Sequence, residues 1–202
     1  MALNTYTEPD YVLTLREQLR LVRNMPVIPE GGAKAKKAIT ALTKGDYLRF
    51  NGVIYLVEEK SEYREGKWKW HELHLMDLVT GHQTFLEYEQ DDRLEAAVWE
   101  SGELELSDIG LTAKKLDVFD DDEQGSFVFD GTTYAYEESD KAFWKKGTDA
   151  EEIPFYYWDF AEKKGKKLLS VEKWDDGSFD VSTGTEIDPR AVVYLATGAT
   201  QE

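Results

Sequence analysis

The sequence predicts a mainly β protein that is antiparallel and built from two related lobes. Residues 50–59 read FNGVIYLVEE, and residues 129–138 repeat the pattern as FDGTTYAYEE. Aromatic residues make up 13% of the chain, and flat rings pack well across a pleated sheet. We therefore expect two related β-meander or SH3-like barrel lobes behind a short N-terminal helix.

The N-terminal helix is expected over residues 10–23. Apolar side chains recur there at helical spacing, at Leu15, Leu19 and Val22. Thr14 is followed three positions later by Glu17, which is the pattern of a capping box. A cluster of Pro and Gly within residues 26–32 ends the predicted helix.

Each of the two repeated segments contains a predicted tight hairpin. Asn51-Gly52 and Asp130-Gly131 stand between apolar, β-prone residues. A type I′ turn needs positive φ at both central positions, which these residue types tolerate. The predicted strands of the first half span residues 47–50, 53–58, 67–78, 82–89 and 94–100, and those of the second half span residues 127–129, 132–137, 153–160, 167–174, 179–181 and 191–195.

The repeat continues beyond the hairpins and indicates a duplication. Gly81 and Gly165 stand at matching places, as do the acidic pairs at residues 91–92 and 175–176. The predicted domains are a helix and connector over residues 1–43, a first β lobe over residues 44–106 and a second β lobe over residues 107–202. The alternative is one continuous domain in which both lobes share a core.

Composition excludes several classes of function. The formal net charge is −17, from 41 acidic and 24 basic residues, so we expect no nucleic-acid binding, because the phosphates would be repelled. The chain has no Cys, which rules out disulfides and thiolate chemistry. No apolar run reaches the ~18 residues of a transmembrane segment, and the first residues do not resemble a secretory signal. We therefore expect a cytoplasmic protein, and we expect no cofactor.

Three histidines are the candidate metal ligands. They are His71, His74 and His82, with Glu72 and Asp77 nearby. Successive side chains of a strand point to opposite faces of the sheet, so His71 and His74 on one strand could not hold the same ion. We therefore predict no metal site, and a metal-dependent protein that uses these three histidines stays an alternative.

The sequence shows no catalytic motif, and we predict that the protein is not an enzyme. It has neither a G-x-S-x-G nucleophile motif nor a phosphate-binding loop. The most distinctive cluster is aromatic, and the candidate protein-binding residues are Phe155, Tyr157, Trp158 and Trp144. Residues 155–158 place rings on both faces of one predicted strand. That strand is either buried on both sides or exposes one aromatic face to a partner.

Four segments resemble a known bacterial family. They read KGDYLRFNGVIY at residues 44–55, WHELHL at 70–75, LLSVEKWDDG at 168–177 and GTEIDP at 184–189. This pattern is similar to that of the bacterial domain of unknown function 4178 family. The resemblance implies a β-rich domain without assigned catalytic residues, in a family associated with phage-shock-type membrane-stress systems.

Three functional hypotheses follow from these observations. The first is a non-enzymatic protein-binding or scaffold module, in a bacterial phage-shock or envelope-stress system, that contacts a protein partner. The second is an acidic mimic of nucleic acid that inhibits a basic protein, because the net charge is −17. The third is the metal-dependent protein that uses His71, His74 and His82.

Overall fold

The structure is a computed structural model that describes residues 14–24, 37–147 and 151–197. Within these residues, eleven strands form one antiparallel sheet, accompanied by two α-helices. The predicted fold class, mainly β and antiparallel, is confirmed. In chain order the elements are α1 (Leu15–Asn24), β1 (Asp46–Phe50), β2 (Val53–Glu65), β3 (Trp68–Asp77), β4 (Gln83–Gln90), β5 (Leu94–Leu104), α2 (Ala113–Asp122), β6 (Ser126–Phe129), β7 (Thr132–Lys146), β8 (Ile153–Glu162), β9 (Lys167–Trp174), β10 (Phe179–Glu186) and β11 (Val193–Thr197), with 3-10 turns at Ile39–Ala41 and Pro189–Ala191.

Eight of the strands close into a ring. Their order is β2-β3-β4-β5-β10-β9-β8-β7, and β7 pairs back onto β2. In the closing pair, Tyr63 of β2 lies opposite Trp144 of β7. Strands β1 and β11 extend the sheet beyond β2, and β6 extends it beyond β7. We call the space inside the ring the lumen.

Both predicted hairpins are confirmed by their backbone geometry. Asn51 and Gly52, between β1 and β2, have φ values of 49° and 84°, and Asp130 and Gly131, between β6 and β7, have values of 45° and 71°. The strand after each hairpin is irregular at a matching place, before residue 59 in β2 and before residue 138 in β7. This similarity supports the predicted duplication, which stays a prediction.

The capping box of the N-terminal helix is also confirmed. The backbone N–H of Thr14 donates to Glu17 Oε2 at 2.8 Å, and the N–H of Glu17 donates to Thr14 Oγ1 at 3.3 Å. Helix α1 therefore begins at Leu15. The earlier predicted residues, 10–13, lie outside the described part of the chain. Leu21 of α1 packs on an apolar cluster that contains Tyr47 of β1.

The apolar cores lie on the outer face of the ring. Leu73, Leu75 and Leu86 belong to one core, which β1 and the first 3-10 turn help to form. The second core contains Phe119 of α2 and Phe160 of β8, whose ring centres are 5.5 Å apart. Burying each such side chain stabilises the fold by ~1.5–3 kcal/mol. Because side chains alternate along a strand, the opposite face of these strands points into the lumen.

Helix α2 was not among the predicted elements. Thr112 caps it by accepting a hydrogen bond from the N–H of Lys115 at 3.3 Å. Gly125 follows with φ at +140°, and a Cβ there would lie 2.3 Å from the ring of Phe119. Only glycine fits this close approach without displacing the ring.

The sheet runs through both predicted lobes. Strand β5 pairs with β10, β2 with β7, and β1 with β11, so each lobe contributes strands beside the other. The division at residues 106–107 stays a prediction. None of the helices that the structure describes is long and apolar enough to cross a membrane.

Candidate functional site

The lumen contains a cavity of about 1120 Å³. Sites for small organic ligands commonly have volumes of about 300–1,000 Å³, so this cavity is large enough for such a molecule. All eight strands of the ring contribute lining residues. Because side chains alternate along each strand, the residues that line the lumen are those between the outward-facing core residues.

Two chemical types dominate the lining, carboxylates and aromatic rings. The carboxylates are Glu65, Glu72, Glu87, Glu89, Asp91, Glu138, Asp159, Glu172, Asp175, Asp176 and Asp180. The aromatic residues are Tyr63, Trp68, Trp70, Phe85, Trp99, Trp144, Phe155, Tyr157 and Trp174. None of the lining residues, all within the described ranges, is Lys or Arg. The lining is therefore acidic and aromatic.

The mouth of the lumen lies at the end of the ring that carries the β2–β3 and β4–β5 turns. The pairing of Trp70 with Glu89 places these two turns side by side. Trp68 stands there with 45% of its surface exposed, and Asp91, which follows β4, is also exposed. Glu72 lies four residues along β3 from Trp68, or ~13 Å away along the strand at 3.3 Å per residue.

Six aromatic residues of β2, β3, β7, β8 and β9 pack together in what we call the aromatic collar. They are Tyr63, Trp70, Trp144, Phe155, Tyr157 and Trp174. Tyr63 stacks on Trp70 with ring centres 5.3 Å apart, and Phe155 stacks on Trp174 at 5.1 Å. Tyr157 meets the edge of Trp70 at 6.3 Å and donates a hydrogen bond to Glu65 at 2.6 Å. These mutual contacts hold the rings against one another on one side of the lumen.

Four lining carboxylates within strands β3, β4, β8 and β9 are what we call the inner carboxylates. They are Glu72, Glu87, Asp159 and Glu172. Glu72 stands directly opposite Glu87 on neighbouring strands. Glu172 lies opposite Tyr157, and Asp159 lies opposite Ser170. Both halves of the ring therefore contribute acidic groups to one enclosed space.

Burial raises the pKa of Asp159, Glu172 and Glu87. It raises the pKa of Asp159 to about 7, although a hydrogen bond with Ser170 opposes the rise. Burial, followed by repulsion from Glu72, raises the pKa of Glu172 to about 8. The same two causes raise the pKa of Glu87 well above its ordinary range. At neutral pH Asp159 and Glu172 therefore hold part of their protons.

One of the inner carboxylates has a buried oxygen atom that accepts no hydrogen bond from the described residues. Asp159 Oδ1 has no hydrogen-bond partner among the described residues. An unsatisfied buried acceptor costs about 1–3 kcal/mol, and such a group in a native fold calls for an explanation. Asp159 lines the lumen, so this unused acceptor belongs to a side chain in the wall of the cavity.

The candidate protein-binding residues are mostly enclosed. Phe155 and Tyr157 are only 3% and 6% exposed and belong to the collar, together with the partly buried Trp144. Trp158 is 4% exposed and lies in the second outer core. The predicted alternative of an exposed aromatic face on β8 is therefore not formed, because the lumen covers one face of the strand and the outer core covers the other.

The three histidines do not converge. His74 points into the lumen, with its ring 4.8 Å from that of Phe85, while His71 stacks on Tyr88 of the first outer core at 5.2 Å. This divergence is the one predicted from strand alternation. The exposed His82 bonds to Glu100 at 2.8 Å. Across residues 14–24, 37–147 and 151–197, no group of three or more His, Asp or Glu residues is placed to hold a metal ion.

A serine, a histidine and a glutamate meet near the inner carboxylates. Ser61 Oγ lies 3.4 Å from His74 Nε2, and Glu72 Oε1 lies 2.9 Å from the same nitrogen. In a catalytic triad the acid orients the histidine through its other ring nitrogen, which frees Nε2 for the nucleophile. This arrangement does not have that geometry.

The inner carboxylates were not predicted as site residues. A signal for them exists in β4 and the residue after it, where Glu87, Glu89 and Asp91 alternate with Leu86 and Tyr88. Read from the sequence alone, such a pattern indicates an amphipathic strand with its acidic face in solvent. Ring closure places that face in an enclosed lumen instead.

Three comparisons with known proteins place the chain in context. A family model described as a domain of unknown function (DUF4178) matches residues 43–189. This match extends from just before β1 to just beyond β10 and so includes every strand of the ring. Neither the curated proteins nor the solved structures gave a match.

Proposed function

The chain belongs to the DUF4178 family, and from that premise we propose that it is a non-enzymatic binding module that holds a small organic molecule in its lumen. The proposal includes the cytoplasmic location expected from the sequence. It assigns ligand contact to the aromatic collar and the inner carboxylates, which line one continuous cavity.

The observation that carries the proposal is the cavity of about 1120 Å³ inside the ring. A closed ring of eight strands is just wide enough either to be filled by its own side chains or to hold one small ligand. Here the apolar cores lie outside the ring, and the inner face carries rings and carboxylates. Ligand pockets combine apolar and aromatic walls with a few convergent polar groups, as this lumen does.

The chemistry of the lining supports binding over catalysis. Nucleophilic catalysis needs a nucleophile hydrogen-bonded to a base that a third group orients. Ser61 and Glu72 instead share one nitrogen of His74. The remaining polar groups of the lumen are carboxylates, serines and tyrosine hydroxyls, which suit recognition of a ligand by charge and hydrogen bonding.

A protein-binding or scaffold role is the second candidate function. It is favoured by exposed apolar side chains on the edge strands, Val128 on β6 and Val193 on β11. Edge strands present unpaired backbone groups to which a partner strand can add. The phage-shock-type setting implied by the family resemblance is where such a partner should be sought.

The acidic-mimic hypothesis gains no support from the placement of the charges. It requires carboxylates aligned on one outer surface, as phosphates are along nucleic acid. Eleven of the 41 acidic residues line the lumen and so are not part of such a surface. We therefore propose neither mimicry of nucleic acid nor binding to it.

A lumen-filling variant tests the proposed function. Ser182 lines the cavity, and Ser182→Phe would place a ring inside it. Thr185, exposed on the same strand and pointing away from the lumen, provides the matched control Thr185→Phe. We would screen the full chain by thermal shift against a panel of small amines, carboxylic acids, sugars and nucleosides.

The proposal predicts that at least one compound raises the melting temperature of the wild type and of Thr185→Phe, and that Ser182→Phe removes this effect. Circular dichroism establishes that Ser182→Phe is folded. Should it be unfolded, the smaller substitution Ser182→Leu takes its place. Compounds that stabilise the lumen-filled and control variants equally would count against a site in the lumen.

A further inference from the structure

The charge of the lumen favours a positively charged ligand over a negatively charged one. Its lining carries eleven carboxylates and neither Lys nor Arg among the residues that the structure describes. Enclosed charges of one sign repel each other strongly because the protein interior screens them poorly. A cation in the lumen would relieve this repulsion, whereas an anion would increase it.

The carboxylates are spread along the axis of the lumen. On one face of β4 and just beyond it, Glu87, Glu89 and Asp91 follow one another at every second residue. This spacing is ~7 Å per step, and the row spans ~13 Å from the inner carboxylates to the mouth. Glu65, which accepts the hydrogen bond from Tyr157, adds a carboxylate beside the collar.

A metal ion does not match this spread. The described residues contain no group of three or more His, Asp or Glu side chains that could hold one, although Glu72 and Glu87 are direct neighbours. A compact cation can neutralise only the carboxylates that converge on one point. The ligand that fits a row of carboxylates is a long molecule with positive charge at several places.

The aromatic collar suits the uncharged parts of such a molecule and its cations alike. Tyr63 and Trp70, which stack on each other, both line the lumen. Methylene groups pack against these rings, and an ammonium group above a ring face is attracted by the negative charge density of that face. At the mouth, Lys67 Nζ lies 4.8 Å from the centre of the Trp68 ring, so an ammonium group already occupies such a position.

An ammonium group also satisfies the unused acceptor. Asp159 Oδ1 is buried, lies in the wall of the lumen and has no partner in the described part of the chain. A primary ammonium carries three N–H donors, and its hydrogen bonds to carboxylates are among the stronger ones in proteins.

From these observations we propose that the ligand is a linear aliphatic di- or polyamine, bound along the lumen with one ammonium group among the inner carboxylates and another near the mouth. This inference rests on the proposed function and specifies its ligand. The lumen-filling variant tests the site, and the titrations described below test the ligand class separately.

Proton release provides an independent signature of this ligand. The pKa of Asp159 is raised to about 7 and that of Glu172 to about 8, so part of their protons must leave when an ammonium group binds. Affinity should therefore rise with pH over this range. The titratable groups that face these two carboxyls are Glu65, Glu72, His74, Glu87, Glu89, Glu138 and Asp180, with the hydroxyls of Tyr63 and Tyr157.

The experiment is isothermal titration of the full chain with spermidine. The matched probes are n-butylamine, which carries one charge, 1,6-hexanediol, which carries none, and magnesium chloride at equal ionic strength. Glu87→Gln and Glu172→Gln each remove an inner carboxylate. Glu105→Gln removes the same charge at an exposed site outside the ring.

We expect spermidine to bind with a stoichiometry of one, and Glu87→Gln and Glu172→Gln each to weaken binding by about tenfold or more at pH 8.5. Glu105→Gln should change the affinity by less than about twofold, because exposed charges are screened. From pH 6.5 to 8.5 the affinity should rise by about tenfold, and titration in buffers of different ionisation enthalpy should report protons released.

The other outcomes separate the two proposals. Equal weakening in all three variants, or equal affinity for magnesium, would show attraction to the acidic surface and overturn the polyamine inference. Binding of hexanediol or of an anionic compound in the lumen, without binding of spermidine, would also overturn it but leave the proposed function standing. If no compound of the screening panel binds and Ser182→Phe changes nothing, both proposals fail.

Discussion

The raised pKa of Glu172 makes the stability of the fold depend on pH. Burial and the neighbouring Glu72 raise this pKa from 4.5 to about 8. Between these values the folded state binds a proton that the unfolded state has lost, so stability is fully present below about pH 4.5 and falls as the pH rises through 8. We predict that Glu172→Gln removes this loss of stability at high pH.

The magnitude follows from the same change in pKa. A tenfold change in proton affinity corresponds to about 1.4 kcal/mol, so the rise from 4.5 to about 8 sets an upper limit near 5 kcal/mol. Water that enters the lumen and relaxation of the site reduce such penalties. We therefore expect Glu172→Gln to be more stable than the wild type by about 2–3 kcal/mol at pH 9 and nearly equal to it at pH 4.5.

Urea denaturation at pH 4.5, 7 and 9, followed by tryptophan fluorescence and circular dichroism, measures this difference. The control Glu105→Gln removes an exposed charge and should keep the pH dependence of the wild type. The reasoning would be refuted if Glu172→Gln lost as much stability between pH 4.5 and 9 as the wild type does. Equal stabilisation by both variants would also refute it, since relief of net charge would then explain the effect.

Three further predictions concern the fold and are checked by urea denaturation. Gly125→Ala should cost about 2–4 kcal/mol, because the added Cβ would lie 2.3 Å from the ring of Phe119 at a φ of +140°. Thr112→Ala should cost about 1 kcal/mol through loss of the α2 cap. Phe160→Ala should lower the free energy of unfolding by about 3–5 kcal/mol, because it leaves a cavity in the outer core. Trp70→Ala should lower it by only about 1–2 kcal/mol, because the Trp70 ring already borders a cavity. Equal losses of stability in Phe160→Ala and Trp70→Ala would contradict an open lumen.

Local features of the fold could be predicted because local chemistry determines them. The hairpins at Asn51-Gly52 and Asp130-Gly131 form because these residues adopt positive φ. The start of α1 follows from Thr14 and Glu17 three residues apart. Helix α2 was missed because its sequence, AKKLDVFDDD, is dominated by charge and buries only Leu116 and Phe119.

The site could not be predicted because it depends on pairing between distant residues. Tyr63 and Trp144 close the ring, and nothing in either segment alone indicates the other. Before closure, the face of β4 that carries Glu87 has the sequence pattern of a solvent-exposed face. The aromatic run at residues 155–158 was noticed, but only the register of β8 shows that Tyr157 faces the lumen and Trp158 the outer core.

The central claim is that the ring encloses a lumen that takes up a linear polyamine, and a crystal structure of the full chain with spermidine tests it most directly. We predict continuous ligand density along the lumen, with one ammonium group within hydrogen-bond distance of Asp159 and of Glu87 or Glu172, and a second beside the carboxylates of the mouth. A lumen filled by the protein's own side chains, or spermidine bound only on the outer surface, would contradict the claim.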